Sequence, residues 1–142
     1  MLRTCSRIIA LAAMVAGPSM TAQAADTTLT LACQGTTTDG TEDAKPEPVS
    51  MGIIVNFTNR TVHGFGYPGL SDTPVKITAF NEVLVTFNGS EASFGSKGSI
   101  SGSIDRVTGD VEATWMLTDA KTGKTVASMS YALKCRPAQR MF

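Results

Sequence analysis

The chain has 142 residues, 12 of them basic and 12 acidic, with one histidine, three cysteines, one tryptophan and 42% apolar residues. That length and apolar content suit one domain with a real core and leave too little for a second. The balanced charge, with no cluster of Lys and Arg, excludes the basic footprint that nucleic acid or an anionic membrane surface requires.

Residues 1–24, MLRTCSRIIALAAMVAGPSMTAQA, read as a cleaved secretory signal peptide. Arg3 and Arg7 precede an apolar run from Ile8 to Ala16, Gly17-Pro18 follows, and Ala22-Gln23-Ala24 supplies a small-x-small cleavage site. The apolar run is well short of the roughly 18 residues that a spanning helix needs, and no later segment comes close, so no membrane span is expected. Cys33 does not fit lipid modification, because the polar segment ADTTLT separates it from the apolar run. Cleavage takes Arg3, Arg7 and Cys5 away, and leaves residues 25–142 as a single β domain with 10 basic and 12 acidic residues. The expected location is periplasmic or secreted.

After the signal, short runs rich in Val, Ile, Thr and Phe recur between clusters of Gly, Asn, Asp and Pro, and no stretch carries a helical period. The fold class expected is therefore all-β, an antiparallel sandwich or barrel of about eight strands. The strands are placed at 27–34, 50–58, 60–66, 74–80, 82–88, 98–105, 110–118 and 125–135. In the first strand Leu29, Leu31 and Cys33 share a face. The segment that follows, Gln34 to Val49, is polar and acidic, holds two prolines, and reads as a long solvated loop. Asp39, Thr41 and Asp43 within it lack the glycine and glutamate that complete a calcium loop.

The third strand runs into TVHGFGYPGLSDTP, residues 61–74, which holds His63 beside Phe65 and Tyr67. Glycines 64, 66 and 69 permit unusual backbone angles and Pro68 stiffens the turn, so the segment reads first as a loop covering the end of the core. Its functional reading is an exposed aromatic rim, Phe65 and Tyr67 with His63 beside them, as the binding site for a partner. A third hairpin turn, with Asn59 and Arg60, joins GIIVNFT to TVHGFG. The Gly/Ser segment GSKGSISG has neither the Walker lysine nor a strand-to-helix context, and reads as a bend or a strand against close backbone.

Further along, DRVTGD and DAKTGK share the pattern D-x-x-T-G-x fourteen residues apart. An aspartate that caps a type I turn and a glycine in the left-handed position make both of them hairpin turns rather than metal ligands. Between them Val111, Ala113, Trp115 and Leu117 fall on one face, which makes Trp115 a core anchor first and a ligand platform second. In the last strand Met129, Tyr131, Leu133 and Cys135 point inward.

Cys33 and Cys135 are the two cysteines left after cleavage, and in an oxidising compartment they are expected to form a disulfide, with two buried free thiols as the alternative. Each sits near the C-terminal end of its expected strand, so neighbouring antiparallel strands would need a register offset to align them. Catalytic chemistry has little to draw on: a nucleophile and base could be assembled only around His63, and zinc lacks its four ligands. No catalytic residue, metal or cofactor is expected. Three N-x-S/T triplets, at Asn56, Asn59 and Asn88, are common by chance in a chain this rich in Ser and Thr.

LACQG near the start of the domain, SIDRVTGDV, and the terminal LKCRPAQRMF together resemble small exported bacterial proteins to which no activity is attached. The early and late cysteines and FGSKGS are also similar, more weakly, to the periplasmic inhibitors of c-type lysozyme, small β barrels whose serine-glycine-x-x-tyrosine loop this chain lacks. The second resemblance implies a lysozyme partner. From the residues themselves the expectation is an exported, non-catalytic binding protein for a protein partner or a small apolar ligand, acting through residues 63–70 and the acidic loop. The alternatives are a structural envelope protein and a small hydrolase using His63.

Overall fold

The computed structural model describes residues 27–65, 75–93 and 95–138. Eight strands follow one another around a closed antiparallel barrel, each paired with its neighbours in sequence and the last with the first. They are β1 (Thr28–Asp39), β2 (Glu47–Asn56), β3 (Thr61–His63), β4 (Val75–Phe80), β5 (Leu84–Ser93), β6 (Ser96–Asp105), β7 (Asp110–Asp119) and β8 (Thr125–Pro137). The sandwich alternative is thereby excluded. The up-and-down order places the β1–β2, β3–β4, β5–β6 and β7–β8 connections at one end, called the upper end below. The turns β2–β3, β4–β5 and β6–β7 form the lower end.

Alternation puts one apolar set inside. Leu31 and Cys33 of β1, Ile53 and Val55 of β2, Val62 of β3, Val75 and Ile77 of β4, and Val85 and Phe87 of β5 are buried. The other half of the wall adds Ile100 and Ile104, then Val111, Ala113 and Trp115, then Tyr131, Leu133 and Cys135. The outer wall is polar: one row of cross-strand neighbours reads Asn88, Ser101, Thr114, Ser130. This is the reverse of a membrane-spanning barrel, whose apolar band faces outward. Among the described residues no helix is long and apolar enough to cross a membrane.

Gly102 shows how the interior is filled. It faces inward from β6 opposite Phe87, and a Cβ there would lie 2.6 Å from Phe87 Cζ and 2.8 Å from Ala113 Cβ. Only glycine leaves the ring this room, which is why a Gly/Ser-rich sequence forms a central strand.

β1 ends later and β2 begins earlier than expected from the sequence, and the long polar loop is correspondingly shorter. β1 continues through Gly35 and Thr36–Asp39, where Thr36 pairs with Ala132 and Asp39 with Met129 of β8, and β2 already begins at Glu47. Threonine is at home on a pleated surface, so a polar run with no apolar alternation still forms a strand when a partner edge is offered. The acidic loop is reduced to residues 40–46.

The longer β1 also resolves the cysteine geometry. Cys33 sits in mid-strand, directly opposite Cys135 across the β1–β8 seam, and the two form a disulfide with Cα atoms 4.0 Å apart. No register offset is needed. The bond joins residues 102 apart in sequence at the one strand pair that closes the barrel.

The turns at the lower end are built by side-chain caps. Asp105 Oδ1 accepts the N–H groups of Val107 and Thr108 at 2.8 Å, and Gly109 takes φ 77°. The upper β7–β8 turn repeats the device with Asp119, which accepts Lys121 N–H at 3.0 Å and Thr122 N–H at 2.7 Å, and with Gly123 at φ 69°. These contacts hold the carboxyls of Asp105 and Asp119 below the usual range, chiefly through the Thr108 and Thr122 amides. In the β2–β3 turn Asn56 Oδ1 accepts Asn59 N–H at 2.8 Å, and the left-handed place falls to Arg60, φ 54°.

Candidate binding site at the upper mouth

Of the three residues expected to form an aromatic rim, Phe65 is placed otherwise. It follows Gly64, whose φ of 114° turns the chain inward at the end of β3, and it is buried. Its ring stacks on Phe87 at 5.1 Å between centroids and meets Tyr131 edge-on at 5.7 Å. Phe65 is thus part of the core rather than an exposed rim, because burying a phenyl ring between two others outweighs leaving it exposed. His63 is half-buried in β3, opposite Ile54 of β2, on the outward side of the strand whose inward residue is Val62. No hydrogen bond or ion pair reaches its imidazole among the described residues. Tyr67 lies outside the described residues.

Phe65, Phe87 and Tyr131 pack against one another inside the barrel. At the upper end a cavity of about 290 Å³ lies between the β1–β2 connection and the start of β8. Trp115 and Met129 form its apolar floor, and they are direct cross-strand partners. Asp39, Gly40 and Thr41 stand on one side, and Thr125, Val126, Ala127 and Ser128 on the other.

Three local features build this mouth. The extension of β1 to Asp39 raises a wall beside β8, ending where Asp39 pairs with Met129. The chain then leans onto β8 through the Gly40 N–H, which donates to Ser128 O at 2.9 Å. Finally the β7–β8 pairing shifts register between Leu117 and Thr118, just above Trp115. Such bulges re-aim side chains at barrel rims.

Chemically the mouth is lined by an indole and a thioether, with a carboxylate and hydroxyls around them. An indole and a thioether favour an apolar or aromatic guest, which the surrounding polar side chains can orient by hydrogen bonds. Trp115 is buried, as expected of a core anchor, and it also lines the cavity. Sequence reasoning missed Met129, Ala127 and Gly40 as mouth residues. The signal was present in the inward parity of Trp115 and Met129, but it has meaning only once β1 is known to run to Asp39.

Among the described residues no group of His, Cys, Asp and Glu is arranged to hold a metal ion. Both cysteines of the domain are committed to the disulfide. No known protein family, curated protein or solved structure matches the chain.

Proposed function

We propose that the protein is an exported, non-catalytic binding module that takes a small apolar molecule, or one apolar side chain of a protein partner, into the upper mouth against Trp115 and Met129. The observation that carries this reading is the cavity of about 290 Å³ lined by Trp115 and Met129 at the upper end of the barrel. That volume lies at the lower edge of those that hold small ligands, so the guest is a ring system or a short branched chain rather than a long lipid. Export to the periplasm or beyond draws support from the leader-like residues 1–24 and from a disulfide that an oxidising compartment would maintain.

The reading places no chemistry in the mouth. Among the described residues that line it, Asp39 is the one titratable group, and His63 lies on another strand. Binding is tested with N-phenyl-1-naphthylamine, a neutral fluorescent probe, added to the whole protein. Emission of the probe rises on binding, and Ala127→Glu, which sets a charge in the mouth, removes the rise while leaving the unfolding midpoint within a few degrees. Equal enhancement by wild type and Ala127→Glu would move the site away from Trp115.

A further inference from the structure

Strand register sets three residues of the upper mouth in one row. Asp39 of β1 pairs with Met129 of β8, and Met129 pairs with Trp115 of β7. Alternation puts all three on the inward side: Asp39 with Cys33, Met129 with Tyr131 and Leu133, and Trp115 with Val111 and Ala113. Neighbouring strands lie about 4.8 Å apart, so the positions of Asp39 and Trp115 stand about 10 Å apart across Met129. All three side chains line the cavity of about 290 Å³. One small group seated over Met129 is therefore within reach of the carboxylate on one side and the indole on the other.

The row is charged at one end only. Asp39 is the one titratable group among the described residues that line the cavity, and none of them is a cation. Among the described residues no hydrogen bond or ion pair engages its carboxylate; the salt bridge present is Lys134 with Asp110. Glu47, paired with Thr37 at the start of β2, carries a second negative charge to the same side of the wall. The cations of this end, Lys45, Lys97, Lys121 and Lys124, are all exposed and do not line the cavity. They temper the field felt from a distance, which salt screens in any case, whereas at contact the guest meets Asp39.

We infer that the guest is a small organic cation, an ammonium carrying methyl or other apolar substituents, held over Met129 between Asp39 and Trp115. The inference rests on the guest-binding role proposed for the mouth and specifies the charge of the guest. An anion would face an unpaired carboxylate, and a neutral molecule gains nothing from it. A substituted ammonium uses the whole row: the carboxylate attracts its charge, the indole attracts it through the ring quadrupole, and the thioether packs against its alkyl groups. A bare metal ion is poorly served, because one carboxylate does not supply the oxygen shell that a hard cation requires.

The test compares choline with 3,3-dimethylbutan-1-ol, the uncharged molecule of the same shape. Both are titrated against the whole protein, and binding is read from displacement of N-phenyl-1-naphthylamine and from the change in Trp115 emission. Choline binds at least about tenfold more tightly than the alcohol. Asp39→Asn, a change at an exposed strand end with no side-chain bond to lose, brings the two within about twofold of each other, with folding checked by the unfolding midpoint. Asp39→Glu keeps the preference for choline. Equal binding of the two by the wild type, or a preference unaltered in Asp39→Asn, overturns the inference and leaves a neutral guest in the mouth. Binding of N-phenyl-1-naphthylamine that choline does not displace has the same meaning. Failure of the probe, choline and the alcohol alike overturns the inference together with the guest-binding role itself.

Discussion

Single residues in this barrel sit under contrasting demands, and Arg60 is the plainest case. A left-handed backbone costs a side-chain-bearing residue about 1 kcal/mol, partly offset here by the stacking of the guanidinium on Phe80. Arg60→Gly is therefore expected to fold with unchanged stability or a gain of up to about 1 kcal/mol, read from urea unfolding. The capping aspartates behave in the opposite sense. The folded-state pKa values of Asp105, Asp110 and Asp119 are all depressed, by the Thr108 and Thr122 amides and, for Asp110, by Lys134 Nζ. Their contribution is fully present above the ordinary value of 3.8 and is lost as pH falls through the lower folded values. Urea midpoints measured downward from neutral pH should thus decline below about pH 4, and Asp105→Asn with Asp119→Asn should flatten that decline. Tyr131 works at the other extreme, since burial raises its phenol pKa and stability falls as pH climbs above 10.

At the scale of the strand, glycine and ring size determine how the interior closes. Gly102→Val would push into Phe87 and Ala113 and is expected to destabilise by about 2 to 3 kcal/mol. Gly52→Ala on the outer wall of β2, where the nearest atom is 3.9 Å away, should be neutral or slightly stabilising. Phe65→Ala tests the reassignment of that residue: a core ring costs about 3 to 5 kcal/mol on removal, whereas a rim ring would cost little. The legibility of the strands follows the same physics. β7 and β8 could be read directly because their inward positions carry Val, Trp, Met, Tyr and Leu. β5 and β6 were expected to stop at 88 and start at 98 but run to Ser93 and from Ser96, since the inward positions of that stretch include Gly89, Glu91 and Gly98. β1 past Cys33 was hidden for the same reason, its inward places being Gly35, Thr37 and Asp39. Where a strand is recognised by apolar alternation, small or polar residues facing the interior conceal it.

Over the whole molecule, closure depends on the β1–β8 seam, which pairs Leu31 with Pro137 at one limit and Asp39 with Met129 at the other. The seam could not be read from the sequence, because the pairing of first and last strands leaves no local pattern. The two cysteines alone hinted at it. Replacing both cysteines by serine removes a constraint spanning 102 residues and should lower stability by about 4 kcal/mol, measured as the shift in urea unfolding. The same closure creates the two ends of the barrel, one of them the mouth over Trp115. The candidate site was not legible as such, since it collects residues from three segments of the chain.

The central claim is that a guest sits on the indole at the upper mouth, and the chain holds one tryptophan to report it. The most direct measurement is energy transfer from Trp115 to bound N-phenyl-1-naphthylamine during a titration of the whole protein. The account predicts quenching of Trp115 emission that saturates at one probe per chain and follows the rise in probe emission. Probe emission that rises while Trp115 emission stays unchanged, or no binding at any concentration below the solubility of the probe, would contradict it.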